Sequence, residues 1–400
     1  MELMYLTFQE DALLYVGVTR KIRSQVHAFQ QLGYHVTYSL WKGCEYRFVT
    51  ENGTQIKKLT GGSGMMHQLA DAAKEYLSQH SFDVLYMRLD RISFDVLEIC
   101  RITRRNGTRR IIIELPNYPY IADYISSVDH VHPLTKRVSA KAHVLAFAAE
   151  DRLSALGLKG LVDAVALIGN PSDHFFGVKA INISNGIDVN AMKPVPLKSS
   201  PDEIVLIGVA GTLWWQAYDR ILEGMYRYKK AEPHRKPHIR FIMVGGDPKE
   251  MPDFRAQIRK YGLQEDVECP GFKTGKELEN LYARADLGVS KLGCYRRGLQ
   301  ACSSLKAREY CAQGLPFIYT CEDSLEKGNS AFALQVPNDP SPVDMNMVVK
   351  FVLNCRQHPE ITAQERQFAM DHFDWKMIME KVLRFAGVAD DSNHKEDPHQ

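Results

Sequence analysis

The sequence has 400 residues, of which 45% are hydrophobic and 24% are charged, and this is enough chain for two domains that each bury a core. Its 50 basic and 48 acidic side chains leave a formal net charge of +2, which argues against nucleic acid as a partner. The eight cysteines show no CxxC pair, no pattern of His/Cys metal ligands and no disulfide framework. We therefore expect a cytoplasmic protein in a reducing compartment, neither secreted nor membrane-spanning.

Strands and helices alternate through the first half of the chain. Apolar runs with strand character are separated by segments with helical spacing, and Gly33 and Gly107 are natural helix stops. The predicted strands are 1–8, 35–40, 83–89 and 110–116, and the predicted helices are 21–33 and 94–107. Strands separated by helices predict a parallel sheet.

The same alternation restarts after residue 190 and predicts a second α/β domain. Its predicted strands are 203–211, 238–246, 267–272 and 286–293, and its predicted helices are 218–230, 251–262 and 276–285. A stretch rich in Pro, Lys and Ser at 190–203 predicts a hinge linker between the two domains. We expect domains at 1–190 and 204–360, C-terminal helices over 361–388 that include Trp375, and a disordered polar tail at 389–400.

A glycine turn follows the first strand of the second domain. Gly208 and Gly211 stand between an apolar strand and a helix, where backbone can approach a phosphate at the helix N-terminus. A tight turn without a ligand explains the same pattern equally well.

The segment SSLKAREYCAQGLPFIY is more informative. Lys306 and Arg308 open a short helix that stops at Gly314. Cationic side chains near a helix start oppose the helix dipole unless an anion binds there. A pyrophosphate would supply that anion.

Three further side chains belong to the same hypothesis. Glu309 is suited to accept hydrogen bonds from a ribose diol, although an ion pair with Lys306 or Arg308 is the alternative. Arg296 and Arg297 lie just upstream and either add charge to the phosphate site or form a solvated surface pair.

These motifs resemble one family of enzymes over essentially the whole chain. ISNGIDV, IMVGG and VECPGF resemble the end of the first domain, the central strand and the donor-base turn of GT-B-fold retaining glycosyltransferases of family four. SSLKAREYCAQGLPF resembles a subgroup with a Leu-Lys-x-Arg-Glu-Tyr motif, and WWQAYDRILEG resembles its Trp-His-Gly-x-Asp-Arg segment. The resemblance implies an α/β GT-B fold, with two Rossmann-like domains facing across a cleft.

The resemblance also implies roles for individual residues. The catalytic residues would be Lys306, Arg308 and Glu309. The residues that bind the nucleotide-sugar would be Gly211, Thr212, Gln216, Arg220, Gly245, Phe272, Arg297, Ser304 and Leu305. IIIELPNYPYIADY resembles the subgroup's first-domain segment, so the acceptor would contact Glu114 and Asn117, with strand-end capping as the alternative for both. Gly17, in the loop after the first strand, is also expected to contact the acceptor.

The sequence departs from the subgroup at two positions. Gln216 and Ala217 replace the expected His and Gly, which leaves the detail of the donor or acceptor contact open. The first glutamate of the wider family's pair is also missing, because Ala301 and Cys302 occupy its region. The subgroup commonly lacks it too.

One arginine-rich segment leaves two interpretations open. Its five arginines are Arg101, Arg104, Arg105, Arg109 and Arg110. A solvated helix face is favoured over peripheral contact with anionic lipid headgroups on the inner face of the membrane.

The resemblance implies transfer of a hexose from a nucleotide-sugar, with a UDP-sugar favoured, to a glycan or lipid-linked acceptor. The expected setting is capsule, exopolysaccharide or other surface polysaccharide synthesis. The anomeric configuration would be retained, and neither a metal nor another cofactor is expected. Two other functions stay open: a sugar-nucleotide epimerase of the same fold, and a catalytically silent GT-B partner subunit.

Overall fold

The computed structural model describes residues 1–12, 15–62, 64–120, 134–198, 200–211, 213–232, 237–300, 302–321 and 331–388. Side chains of residues 117, 134–141 and 297 also lie outside the description. The chain divides into two compact units. Unit 1 comprises Met1–Ser184 and Trp375–Gln400, and unit 2 comprises Asn185–Asp374.

Unit 1 contains a nine-stranded sheet in the described residues, with the order β4-β3-β2-β1-β5-β6-β7-β9-β8. Its strands are β1 (Glu2–Thr7), β2 (His35–Lys42), β3 (Glu45–Thr50), β4 (Gly53–Lys58), β5 (Val84–Arg88), β6 (Arg110–Tyr118), β7 (Ala164–Gly169), β8 (His174–Phe175) and β9 (Val178–Asn182). The central pairings from β2 through β1, β5, β6 and β7 to β9 are parallel, whereas β3, β4 and β8 pair antiparallel to their neighbours.

Helices cover both faces of this sheet. They are α1 (Val16–Gln31), α2 (Met65–Gln79), α3 (Phe94–Arg105), α4 (Leu134–Leu156) and α11 (Trp375–Phe385). Alternate residues of β1 enter different clusters: Leu3 and Tyr5 pack with α1 and α11 residues, and Met4 and Leu6 pack with α2 and α3 residues. The period of two along a strand thus produces two buried layers.

The antiparallel hairpin β3-β4 was not among the predicted elements. Its connection passes through Glu51 and Asn52, and Thr50 pairs with Gly53. Asn-Gly is a strong turn signal, so the pattern was available in the sequence. Every residue of β4 is exposed, which is why it lacks the apolar run that identifies the buried strands.

Unit 2 contains a six-stranded sheet in its described residues, with the order β12-β11-β10-β13-β14-β15, and all its pairings are parallel. The strands are β10 (Glu203–Ala210), β11 (His238–Gly245), β12 (Val267–Gly271), β13 (Leu287–Val289), β14 (Phe317–Tyr319) and β15 (Ala333–Gln335). This order corresponds to 3-2-1-4-5-6 within the unit, the order of a dinucleotide-binding Rossmann fold.

In the described part of unit 2, six α-helices pack on the two faces of the sheet. They are α5 (Asp219–Ala231), α6 (Met251–Lys260), α7 (Gly275–Tyr282), α8 (Leu305–Gln313), α9 (Met345–Gln357) and α10 (Glu360–Phe373). Ile204 and Leu206 of β10 pack with residues of α5, α6 and α9. Val205 and Ile207 face the opposite layer with residues of α7, α8 and α10.

The boundary between the units differs from the predicted linker. The chain passes from unit 1 to unit 2 between Ser184 and Asn185, and the Pro- and Lys-rich segment is part of unit 2. Val195 is buried there, and its N–H donates to the carbonyl of Gln313 at 2.8 Å. Of the predicted C-terminal helices, α11 belongs to unit 1 and α10 to unit 2. The tail at 389–400 lies outside the described residues.

One disulfide also departs from the sequence analysis, which found no pairing pattern. Cys294 and Cys321 are bonded although 27 residues separate them. The parallel pairing of β13 with β14 brings the segments that follow these strands together, and spacing along the chain does not reveal this.

No helix within the described ranges has both the length and the apolar character needed to cross a bilayer.

Candidate functional site

The sheet of unit 2 has its switch point between β10 and β13. The chain runs outward from β10 to β11 and β12, and then returns to build β13, β14 and β15 on the other side. In open parallel sheets of this kind, ligands bind beyond the carboxyl ends of the strands at that point. The residues after β10, β11 and β13 and the N-terminus of α8 are therefore the candidate site.

Backbone approaches closely at the ends of β10 and β11. Gly245 has φ +93°, and a Cβ atom there would lie 2.2 Å from the carbonyl oxygen of Ala210. Only glycine fits that position. A Cβ on Gly211 would meet nothing within 4 Å, so the chain is open at this turn. Thr212, the next residue predicted to bind the nucleotide-sugar, lies outside the described residues.

Lys306 is the central cation of the site. It stands in the first turn of α8 and is half-buried. Its ammonium donates a hydrogen bond to Oε1 of Gln216 and lies 5.8 Å from the centre of the Tyr218 ring. The structure therefore joins two residues that the sequence analysis assigned to the donor site.

The electrostatic environment of Lys306 disfavours its charge. Burial lowers the pKa of Lys306 to about 7, and the neighbouring Lys291 ammonium lowers it as well. The Glu309 carboxylate and Cys302 act in the opposite direction. Two ammonium groups close together and partly removed from water favour binding of an anion, which would stabilise both charges.

The Gln216-Ala217 pair occupies a turn between β10 and α5. Ala217 is fully buried with φ +50°, a left-handed conformation that glycine adopts more easily. This explains why the resembling segment has Gly at that position. Gln216 contacts Lys306 where the subgroup has His.

The start of α8 carries the other predicted residues of this helix. Ser304 is its N-cap residue, and its hydroxyl oxygen accepts a hydrogen bond from Ser290 Oγ at 3.1 Å. Leu305 is the first helical residue and is half-buried. Glu309 follows one turn after Lys306, and the Tyr282 hydroxyl donates to its Oε2 at 3.4 Å.

Two predicted ligand contacts are corrected, because their guanidinium groups are buried on protein partners. Arg308 is 0% exposed, donates from Nε to the Asn185 carbonyl at 3.0 Å and lies 3.9 Å from the centre of the Phe373 ring. Arg220 is 2% exposed and donates to the backbone carbonyls of Leu292, Pro337 and Ser341 at 2.6–2.8 Å. Both side chains hold loops of unit 2 together.

The remaining predicted residues of unit 2 are Arg296, Arg297 and Phe272. Arg296 is paired with Asp219 at 2.5 Å and donates to the Trp214 carbonyl at 2.7 Å, so it is not the solvated cation of the sequence hypothesis. The side chain of Arg297 lies outside the description. Phe272 follows β12 and is 59% exposed, which leaves its ring face open to solvent.

The predicted acceptor residues lie in unit 1. Gly17 stands in the first turn of α1, and a Cβ there would meet nothing within 4 Å. The side chain of Asn117 lies outside the description. Glu114, on β6, is 0% exposed, so the predicted acceptor contact is corrected to an internal role.

Glu114 organises a buried polar network in unit 1. Its carboxylate accepts hydrogen bonds from Lys21 at 2.8 Å, Gln25 at 2.6 Å and Tyr86 at 2.5 Å, and Arg88 Nε lies 3.7 Å away. Burial acts to raise the pKa of Glu114, but the Lys21 ammonium and Arg88 guanidinium outweigh it and hold the pKa below its usual range.

The arginine-rich segment is only partly solvated. Arg101 and Arg105 are exposed, whereas Arg104 pairs with Asp163 and donates to the Leu161 carbonyl at 2.9 Å. Arg110 donates to the Gly387 carbonyl at 3.2 Å. Membrane contact at this segment stays a prediction.

Sequence reasoning missed Ser290 and Lys291. They follow β13 directly on the sheet edge that carries the site. The signal was available, because polar residues immediately after a parallel strand lie at its carboxyl end. The order of the strands was needed to show that β13 is the neighbour of β10.

Comparison with known proteins gives one family and a set of similar folds. Residues 203–344 match the family model described as Glycosyl transferases group 1. None of the curated protein sequences matches the chain.

Solved structures resemble nearly the whole chain. Sucrose-phosphate synthase (tll1590) from Thermosynechococcus elongatus has a TM-score of 0.62 at 15% identity, covering 98% of this chain and 100% of that one. A glycosyltransferase from Rickettsia africae ESF-5 has a TM-score of 0.62 at 13% identity, covering 97% and 98%. The catalytic domain of starch synthase IV from Arabidopsis thaliana, bound to ADP and acarbose, has a TM-score of 0.62 at 11% identity, covering 97% and 99%.

The predicted fold class is thereby confirmed. The chain has the GT-B fold of these glycosyltransferases, and within its second unit residues 203–344 match the glycosyl transferases group 1 model.

Proposed function

We propose that this protein is a glycosyltransferase that binds a nucleotide-sugar at the Lys306 site of unit 2 and transfers the sugar to an acceptor. One observation carries the proposal. The ammonium of Lys306 is half-buried at the start of α8, at the switch point of a Rossmann sheet, with Lys291 close enough to lower its pKa. Such a site favours a diphosphate.

The chemistry of glycosyl transfer would use such an arrangement. Negative charge builds on the departing phosphate as the glycosidic bond breaks, and a cation aimed there stabilises the transition state more than the ground state. Lys306 would supply that charge. Gln216 would orient the ammonium, and Glu309 would accept hydrogen bonds from the ribose hydroxyls.

The finer details of the proposal come from the resemblance of the LKAREY segment. They are membership of family four, transfer of a hexose with retention, a UDP-sugar donor, and a glycan or lipid-linked acceptor in surface polysaccharide synthesis. The cytoplasm, with peripheral contact to the membrane, is the proposed location. ADP is bound in the similar starch synthase structure, so the base must be identified by experiment.

We further propose that transfer needs no metal ion or other cofactor, because lysine side chains can stabilise the leaving diphosphate without one. Activity should survive EDTA. Loss of activity in EDTA with recovery in manganese would contradict this part of the proposal.

The donor can be found by measuring the melting temperature of the protein with UDP-, GDP-, ADP- and CMP-sugars. A ligand that binds only the native state raises the melting temperature, and at equal concentration the rise is larger for the ligand with the higher affinity. Release of nucleoside diphosphate is then measured with and without candidate acceptors. Conversion of the donor to its epimer would indicate an epimerase, and binding without turnover would indicate a silent subunit.

Lys306→Ala tests the assignment. We expect release of nucleoside diphosphate at saturating nucleotide-sugar to fall about 10²–10³-fold. Loss of one hydrogen-bond donor that stabilises the developing charge typically raises the barrier by about 2.7–4 kcal/mol. The circular dichroism spectrum should not change. Lys350→Ala is the matched control, because Lys350 is an exposed lysine on α9 of the same unit. Equal turnover of the two variants would disprove the role of Lys306.

A further inference from the structure

Three cysteines meet beside the start of α8. Cys294 begins a short 3-10 helix, Cys321 follows β14, and Cys302 lies two residues before the N-cap Ser304. Their sulfur atoms all lie within 4.8 Å of one another. Cys294 is 0% and Cys321 2% exposed, whereas Cys302 is half-buried.

The cluster Cys294-Cys302-Cys321 holds its three sulfur atoms within reach of one another. Cys294 and Cys321 are bonded, with their Cα atoms 6.2 Å apart, inside the range of about 4.4–6.8 Å found for disulfides. The sulfur of Cys302 lies 3.7 Å from that of Cys294. A third sulfur so close to a disulfide is placed for thiol–disulfide exchange, which proceeds by attack of a thiolate on a disulfide sulfur.

We propose that Cys294, Cys302 and Cys321 form a redox modification site in which Cys294 exchanges its disulfide partner between Cys321 and Cys302. In the exchange, the Cys302 thiolate attacks the sulfur of Cys294. The 302–294 bond forms, the 294–321 bond breaks, and Cys321 leaves as a thiolate that takes up a proton. No net oxidation occurs in this step.

Formation of the first disulfide needs an oxidant, and a low-molecular-weight disulfide such as glutathione disulfide supplies it. Two cysteine thiols become one protein disulfide, and one molecule of glutathione disulfide becomes two glutathione thiols. The five other cysteines outside the disulfide offer a comparison: Cys100, Cys311 and Cys355 are buried, Cys269 is half-buried, and Cys44 is exposed.

The exchange would alter the donor site, a consequence that rests on the proposed function. The 294–321 disulfide leaves the Cys302 sulfur near Lys306, where it favours the charged ammonium. The 294–302 disulfide removes that thiol and ties the segment before α8 to the 3-10 helix. We expect weaker binding of nucleoside diphosphate in the exchanged form.

The first experiment maps the disulfides of the full chain. The protein is treated with glutathione disulfide or with dithiothreitol, alkylated, digested without reduction and analysed by mass spectrometry. We expect a 294–321 linkage in the wild type, a 294–302 linkage in Cys321→Ser, and neither in Cys294→Ser. Cys44→Ser is the control and should match the wild type.

Two outcomes would overturn the proposal. One is complete alkylation of all three cysteines after glutathione disulfide treatment. The other is stoichiometric zinc in the purified protein that is released only when these thiols are modified, which would identify a metal site instead.

The second experiment measures the affinity for UDP or whichever nucleoside diphosphate binds. At pH 8, oxidised Cys321→Ser should bind at least threefold more weakly than the same variant in dithiothreitol, and Cys302→Ser should show no such difference. Equal affinities of oxidised and reduced Cys321→Ser would show that the disulfide does not affect nucleotide binding. Absence of nucleotide binding in every state would count against the proposed function alone, because disulfide mapping does not depend on it.

Discussion

At the residue scale, Lys306 shows how burial tunes a single charge. An exposed lysine keeps its proton well above neutral pH, but burial and the Lys291 ammonium lower the pKa of Lys306 to about 7. Near neutrality, the free protein therefore holds this side chain in both forms. Bound diphosphate would favour the ammonium and draw a proton from solution.

This leads to a prediction for the pH dependence of binding. Above pH 7 the native protein must take up a proton to bind the diphosphate, so affinity for nucleoside diphosphate should fall by up to about tenfold per pH unit. Below pH 7 the lysine is already charged, and the dependence should level off. Calorimetric titration in buffers of different ionisation enthalpy measures both the affinity and the proton uptake.

Lys306→Arg provides the control for that measurement, because a guanidinium stays charged throughout this range. Its affinity should vary less with pH than that of the wild type. A wild-type affinity that is constant between pH 6.5 and pH 9, without proton uptake, would contradict the assignment.

At the element scale, α1 is tied to β6 by the buried network around Glu114. Burial lowers the pKa of Lys21 to about 8, although the Glu114 carboxylate acts to raise it. Each member of such a pair relies on the other to offset the loss of hydration. The network fixes where α1 lies on the sheet of unit 1.

We expect Lys21→Met to destabilise unit 1 by about 3–5 kcal/mol, since it leaves a buried carboxylate without its closest cation. Urea unfolding measures the change. Glu114→Gln in the same chain should recover part of the loss, because the uncompensated charge is then gone.

Arg23→Met is the matched control on the same helix. Arg23 pairs with Asp11 at 3.1 Å, but its side chain is 57% exposed, and an exposed pair contributes about 0–1 kcal/mol. If Lys21→Met were no more harmful than Arg23→Met, the buried pair would not be holding α1.

At the scale of the whole molecule, unit 1 is built from residues on both sides of unit 2 in the sequence. Trp375 is 1% exposed and packs in the cluster that contains Phe29 and Tyr86 of unit 1, with Lys21 Nζ 5.4 Å from the centre of its ring. Residues 185–374 form the other unit in between. Unit 1 therefore depends on residues that follow unit 2 in the sequence.

Trp375→Ala should lower the stability of unit 1 by about 3–5 kcal/mol through loss of buried area and the cavity left behind. Hydrogen exchange followed by mass spectrometry should show faster exchange in α1 and β1, with β10 and β11 of unit 2 little changed. Met377→Ala is the control, because Met377 lies on the same helix but is 37% exposed. Loss of protection centred on β10 and β11 would contradict this division of the chain.

The sequence by itself determined the alternation of strands and helices, the two α/β domains and the helix that carries Lys306. Each of these depends on local pattern: apolar runs of strand length, helical spacing, and glycine at the ends of helices. The motifs also drew attention to Gly245 and to Ala217, but their left-handed backbone conformations were seen only in the structure.

Only the tertiary structure decided which of the predicted polar residues can face a ligand. Lys306 and Arg308 are two positions apart on α8, and at 3.6 residues per turn such side chains point in nearly opposite directions. One therefore reaches the sheet edge while the other is buried against Phe373. Glu114 on β6 and Arg220 on α5 are buried on protein partners. The pairing of β13 with β14 brings Cys294 and Cys321 together. Burial and strand order depend on the whole chain, and no local window of sequence contains them.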